Sequence, residues 1–149
     1  MTRAEFAATV VRTLGLTPKT GDVFDDVANS NWYASYVGTA YTYGIVNGKS
    51  TSTFDPSGII TRQEAAGMVA RAAKLCGMDT SLTASEIRDL LAQFDDYVEV
   101  STWAQEPVAF CYSEGILNQS ELEIQPAIAI TRGEIAQMLY NMLGIANLL

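Results

Sequence analysis

The chain has 149 residues, of which 48% are hydrophobic and 17% are charged, a composition typical of a folded globular protein. Seventeen acidic and nine basic residues leave a net charge of -8, which argues against nucleic acid or an anionic membrane surface as a partner. No apolar run approaches the roughly 18 residues that a membrane span needs, so we expect no membrane insertion. No leader-like segment is present either, and a secreted form would need a leader outside this chain.

The first predicted element is a helix that begins at the string TRxE, and this string occurs three times. It begins at Thr2, Thr61 and Thr131, and each copy is followed by apolar residues at helical spacing. The predicted apolar stripes are Phe6, Val10 and Leu14 in the first copy, Met68, Val69, Ala72 and Leu75 in the second, and Ile135, Met138, Leu139 and Met142 in the third. The chain therefore contains an internal repeat.

A second set of landmarks precedes the second and third TRxE strings in the same order. They are FDD (24–26 and 94–96), a tryptophan (Trp32 and Trp103), a glycine (Gly44 and Gly115) and a proline (Pro56 and Pro126). Each tryptophan is expected to open a helix that its glycine ends in the left-handed conformation, before a loop rich in turn formers. A short extra helix near 85–94, capped by Ser85, is expected between the repeats. The predicted fold class is all-α, built from tandem helix-loop-helix repeats.

The TRxE string is the pattern of a capping box, in which Thr61 and Glu64 satisfy backbone N–H groups at the helix start. The box does not explain the arginines, Arg3, Arg62 and Arg132, which lie at the positive end of a helix dipole. A bound anion would offset this repulsion, because free N–H groups and a guanidinium would converge on it. The alternative is a structural ion pair with an acidic residue of the chain.

Two other landmarks have a structural and a functional interpretation. Trp32 and Trp103 are either half-buried core residues or platforms for a sugar ring. The aspartate pairs at 25–26 and 95–96 are either turn and cap residues or carboxylates for calcium or catalysis. Adjacent residues seldom converge on one atom, which favours the turn and cap interpretation.

The sequence argues against an enzyme and against a metal site. It has no histidine, which excludes His-based triads and general bases, and it has neither a phosphate-binding glycine loop nor GxSxG. A hydrolase that uses carboxylates alone is the remote alternative. Cys76 and Cys111 form no metal or redox motif, and their place in apolar helical patterns favours small buried core residues over the alternative of a disulfide. No cofactor is expected.

The segments FDDV, WYASYVGTAYTYGIVNG and TFDPSGIITRQE closely resemble the S-layer homology (SLH) motif, and the resemblance extends over essentially the whole chain. It implies a pseudo-threefold spindle in which helices of each repeat surround a central bundle. The three segments would be 1–20, the last helix of a truncated first repeat, then a second repeat at 21–78, and a third repeat with the extra helix at 79–149. Together they would form one SLH domain.

The resemblance implies noncovalent anchoring of a secreted bacterial surface protein to secondary cell wall polysaccharide, commonly pyruvylated, at the cell wall or S-layer. Arg3, Arg62 and Arg132 would lie in grooves between repeats, with Thr61 and Glu64 at the same helix start and Trp32 and Trp103 as groove walls. In the third repeat, Glu121 and Glu123 would repel an anionic polymer. The alternative is a structural or protein-protein interaction module of the cell surface without carbohydrate binding. The resemblance also suggests an S-layer, or another copy of the chain, as a binding partner.

Overall fold

The computed structural model describes all residues from Met1 to Leu149, and its regular structure is helical. The six α-helices are α1 (Arg3–Thr13), α2 (Ala34–Thr42), α3 (Arg62–Leu75), α4 (Ala84–Leu91), α5 (Gln105–Ser113) and α6 (Arg132–Ile145). Two 3-10 turns, Tyr97–Glu99 and Thr102–Ala104, precede α5. The predicted all-α class is confirmed, and none of the helices is long and apolar enough to cross a bilayer.

The chain divides into two compact units, residues 1–60 and 61–149. In the first unit α1 packs against α2, and in the second α3 packs against α5. Each unit therefore joins the TRxE helix of one repeat to the tryptophan helix of the next. The boundary between the units falls inside the predicted segment 21–78, because the TRxE helix of a repeat buries its apolar stripe against the tryptophan helix of the next repeat.

Most residues of the predicted apolar stripes are buried in the cores of the two units. Phe6 and Val10 are fully buried in the first unit, as are Val69 and Met142 in the second. Leu75, predicted to complete the α3 stripe, is exposed, since it is the last helical residue and its side chain lies beyond the packed part of α3. Cys111 is buried in the second core and Cys76 is half-buried at the end of α3, and both are free thiols.

The helix ends follow the predicted chemistry with one exception. Gly44 and Gly115 have φ values of 73° and 75°, the left-handed conformation that ends α2 and α5. The cap of α4 is Thr83, whose side chain accepts a hydrogen bond from Glu86 N, and not Ser85 as predicted. Thr83 lies three residues before Glu86, which is the spacing a capping box needs, whereas Ser85 already lies inside the helix.

Candidate functional site

The three TRxE strings form complete capping boxes. At α3, Thr61 Oγ1 accepts a hydrogen bond from Glu64 N at 3.3 Å, and Glu64 Oε1 accepts one from Thr61 N at 3.4 Å. The same reciprocal pair caps α1 and α6. The predicted cap is confirmed, and ligand binding by Thr61 and Glu64 stays a prediction.

The first two TRxE arginines are buried and bonded to loop carbonyls. Arg3 is 3% exposed, and its Nε donates to Phe54 O at 2.7 Å while its Nη2 donates to Asn47 O at 2.8 Å. Arg62 is 8% exposed, and its Nε donates to Ile124 O at 2.9 Å. The two arginines thus hold equivalent loops, each from the repeat that follows.

Arg62 also has carboxylate partners inside its own unit. Its Nη2 lies 3.4 Å from Oε2 of Glu121, and its Nη1 forms an ion pair with Oε2 of Glu134. This is the structural ion pair that the sequence left as the alternative to a bound anion. Glu121, expected to repel a polymer at the third repeat, instead lies beside Arg62 of the second.

The helix starts of α1 and α3 do not present the free N–H groups that the anion argument needs, and that expectation was wrong. Arg3 N donates to Gly58 O at 2.8 Å, and Arg62 N donates to the equivalent Ile128 O at 2.9 Å. Ala4 N and Gln63 N donate in the same way to proline carbonyls of these loops. The reason is tertiary, because the loop of the following repeat folds back over each helix start.

The second aspartate of each FDD string holds the same loop from the other side. Asp26 accepts from Phe54 N at 2.8 Å and Asp55 N at 2.7 Å, and Asp96 makes the equivalent bonds to Ile124 N and Gln125 N, both at 2.8 Å. Both aspartate pairs lie in turns, as predicted, but the second carboxylate of each pair caps a distant loop and not the adjacent helix start. We call this set of contacts, an arginine and an aspartate on either side of one buried loop residue, the loop clamp.

The third arginine is placed differently. Thr131, Arg132 and Gly133 are exposed at the start of α6. Arg132 is therefore the TRxE arginine whose side chain lies at the protein surface. Anion binding by Arg3 and Arg62 stays a prediction.

Both tryptophans stand out from the surface, so the core interpretation was wrong. Trp32 is 57% exposed and Trp103 is 58% exposed. Each precedes its helix and does not lie on the helix's apolar face, since α2 begins at Ala34 and α5 at Gln105. Two large indoles at equivalent repeat positions thus face solvent, where they are available to a ligand.

Trp103 borders a groove of about 250 Å³ in the second unit, which we call the Trp103 groove. Its floor is Gly67 of α3, and Arg71, Lys74 and Glu106 also line it. A methyl group at Gly67 would lie 3.6 Å from Cζ3 of Trp103 and 3.7 Å from Nη1 of Arg71, so the indole and the guanidinium both flank the glycine.

The first unit contains a different arrangement beside Trp32. The ring of Tyr36 lies 6.3 Å from the Trp32 ring, centroid to centroid. The guanidinium carbon of Arg12 lies 4.5 Å from the centroid of Tyr36, and its Nη2 donates to the Tyr36 hydroxyl at 3.2 Å. Arg12 is thus held on an aromatic ring of its own unit.

The sequence reasoning missed Gly67, Arg71 and Lys74. A signal was present, because these residues lie four and three positions apart, and helical geometry places them on one face. That face lies beside the apolar stripe of α3, and the stripe is the stronger periodic signal. Only packing against Trp103 turns the face into a groove.

Comparison with known proteins gives the family. The model of the S-layer homology domain matches residues 23–66 and 93–136, which together are more than half of the chain. The chain belongs to the S-layer homology domain family. It is an anchoring and binding module of the cell surface, and the SLH resemblance of its repeats is confirmed.

Relatives with different names contain this module. The chain is 32% identical over 99% of its length to an exoglucanase, XynX, of Acetivibrio thermocellus, of which it spans 13%. It is 30% identical over 91% of its length to a surface-layer 125 kDa protein of Lysinibacillus sphaericus, of which it spans 11%. It is 29% identical over 97% of its length to a middle cell wall protein of Brevibacillus brevis, of which it spans 12%. The chain thus matches a small part of each of these longer proteins.

Proposed function

We propose that this SLH module attaches its parent protein noncovalently to an anionic secondary cell wall polysaccharide that bears pyruvate ketals on its sugars. The observation that carries the proposal is the exposure of Trp32 and Trp103, each more than half accessible at the same place in its repeat. An exposed indole offers a flat apolar face on which a sugar ring can stack while its hydroxyl groups keep contact with water.

The names of the relatives support a role in attachment over a role in catalysis. An exoglucanase and a surface-layer protein share this segment, although their names describe unlike proteins. What the two share is similarity to this SLH module, and one of them is named for the surface layer. The location we propose for the parent protein is therefore the extracellular face of the wall.

A repetitive polymer suits a module with more than one binding face. Two weak contacts on one scaffold gain from effective concentration, and the combined affinity can exceed either one by about 100-fold or more. The chain's net charge of -8 would repel an anionic polymer at long range. Recognition of the acid must therefore depend on local cations, and Lys74 and Arg132 are exposed candidates.

A second candidate is a structural or protein-protein module without carbohydrate binding. The ion pairs of Arg62 with Glu121 and Glu134 favour it, because they occupy the guanidinium that the family resemblance assigns to the ligand. In that case the exposed tryptophans would contact another protein chain.

Sedimentation with purified wall sacculi tests the proposal. We expect the double variant Trp32→Ala/Trp103→Ala to lose at least about tenfold in retention, since each stacking contact is worth roughly one factor of ten. The matched control is Tyr97→Ala/Tyr140→Ala, which removes two other exposed aromatic rings and should bind like the parent. Sacculi stripped of secondary polysaccharide by hydrofluoric acid should retain none of the proteins. Equal retention on stripped and intact sacculi would favour the protein-protein candidate.

A further inference from the structure

We infer that Gln63 is a positioning residue for Trp103, and that its side chain holds the turn that carries this indole in the conformation that a ligand meets. The inference rests on the proposed function and deepens it, because it names the residue that fixes the place of the indole. The variable position of the TRxE string thereby decides how firmly the tryptophan of the next repeat is held.

The side chain of Gln63 forms two hydrogen bonds with Ser101, which lies 38 positions further along the chain. Its Oε1 accepts from Ser101 N at 3.0 Å, and its Nε2 donates to Ser101 Oγ at 3.0 Å. An amide side chain offers both a donor and an acceptor, so this one residue completes both bonds. Both bonds are partly buried, which limits the access of water that would otherwise replace them.

Ser101 lies at the start of the 3-10 turn Thr102–Ala104, which carries Trp103. Its carbonyl accepts from Ala104 N at 2.9 Å, and this bond closes the turn around the tryptophan. Ala104 is fully buried, so packing fixes the turn at its second end while Gln63 fixes it at its first. Trp103 itself is 58% exposed, so much of its indole has no packing contact, and the two ends of the turn set where it projects.

The contact with Ser101 also places the indole over one face of α3. Gln63 is the second residue of α3, and Gly67 lies four positions later, on the same face of the helix. A methyl group at Gly67 would lie 3.6 Å from Cζ3 of Trp103, so the edge of the indole lies above this glycine. Gln63 therefore ties the turn to α3 one helical turn before the point where the indole meets the helix.

The first unit holds its tryptophan differently. The variable position of the first TRxE string is Ala4 and that of the third is Gly133, and neither residue has a polar side chain. Ser30, the serine two positions before Trp32, is exposed. Trp32 instead contacts the ring of its neighbour Tyr33, at 5.5 Å between the centroids. The two-bond contact is therefore specific to the second unit, and Trp32 provides an internal comparison.

Substitutions of Gln63 separate its hydrogen bonds from its bulk. Gln63→Met keeps the length of the side chain without its polar atoms. We expect it to lower retention on wall sacculi about twofold to tenfold, the cost of ordering one freed side chain on binding. Gln63→Glu keeps an oxygen that accepts from Ser101 N and to which Ser101 Oγ can donate, so this variant should be retained like the parent.

Time-resolved fluorescence anisotropy tests the positioning role directly, since the chain has two tryptophans. In a Trp32→Phe background Trp103 is the only indole, and Gln63→Met should raise the amplitude of its sub-nanosecond depolarisation. Gln63→Glu should leave that amplitude near the value of the background protein. In a Trp103→Phe background, where Trp32 alone reports, Gln63→Met should change nothing. Thermal unfolding shows that each variant is folded, and Gln63→Ala, with the residue of the first string, serves as a second variant.

Three results would overturn the positioning role. They are an unchanged depolarisation of Trp103 in Gln63→Met, an equal change at Trp32, and equal depolarisation in Gln63→Met and Gln63→Glu. The first would show that Gln63 does not hold the turn, the second a general loosening, and the third a cause other than hydrogen bonding. If the parent is not retained on intact sacculi, the proposed function fails, while the depolarisation of Trp103 still decides whether Gln63 positions it.

Discussion

The loop clamp makes Asp96 a residue whose removal has a calculable cost. Its Oδ1 accepts from Ile124 N and its Oδ2 from Gln125 N, both at 2.8 Å. Ile124 is 2% exposed, and its carbonyl accepts from Arg62 Nε at 2.9 Å. The Asp96→Ala substitution therefore leaves a buried N–H without a partner in the middle of a loop that covers the start of α3.

The two lost bonds are not equivalent in free energy. A hydrogen bond to a charged acceptor contributes about 1.5–3 kcal/mol, but Gln125 is exposed and water can replace its partner. Ile124 is buried, so water does not replace the partner of its N–H, and the free energy of unfolding should fall by about 2–3 kcal/mol. For a chain of this size that shift lowers the unfolding midpoint by roughly 5–10 °C.

Thermal unfolding followed by circular dichroism measures the effect, and the adjacent aspartate supplies the control. Asp95 is exposed and contributes its backbone N–H to Leu122 O at 3.1 Å, so Asp95→Ala should change the midpoint little. The Asp26→Ala and Asp25→Ala pair repeats the comparison in the first unit. Equal midpoints for Asp96→Ala and Asp95→Ala would refute the loop clamp as a source of stability.

Two further predictions concern Arg62 and Tyr112. Arg62→Met should lower the free energy of unfolding by about 2 kcal/mol or more, because a buried carbonyl and two carboxylates lose their partner. Arg132→Met, at an exposed helix start, should lower it by well under that amount. Urea unfolding of both variants measures the difference, and equal losses would contradict the prediction. Burial raises the pKa of Tyr112 from 10.0 to about 12, against the opposing effect of Arg62, so the unfolded chain ionises first and stability is lost as pH rises through this window. Since the Tyr112 hydroxyl has no hydrogen-bond partner, the Tyr112→Phe variant should be no less stable than the parent at neutral pH. It should also lose less stability than the parent from pH 10 to 12. An unchanged pH dependence would show that other groups cause the loss.

The contacts that Arg62 makes inside its own unit affect how its variants are interpreted. A loss of wall binding in an Arg62→Ala variant would arise from a disturbed loop as readily as from a lost ligand contact, since the guanidinium holds Ile124 and Glu134. Substitutions at Trp32 and Trp103 avoid this ambiguity, because both side chains are more than half exposed. They are the better probes of ligand binding.

Local chemistry determined those features that neighbouring residues complete among themselves. The capping boxes need only a threonine and a glutamate three positions apart, and Gly44 needs only a backbone free to adopt a positive φ. The repeat order is likewise readable from the sequence, and it carries the resemblance to the SLH motif. Each of these features involves residues within one turn or one motif.

Tertiary structure alone decided the roles of the residues between these signals. Arg3 and Arg62 find their acceptors in loops 51 and 62 positions further along the chain, and no local pattern indicates which carbonyl will be there. The exposure of Trp103 and the groove over Gly67 likewise depend on how α5 packs against α3. A sequence specifies which groups a helix start or an indole can offer, but burial is a property of the packed chain, and burial decides whether those groups are left for a ligand.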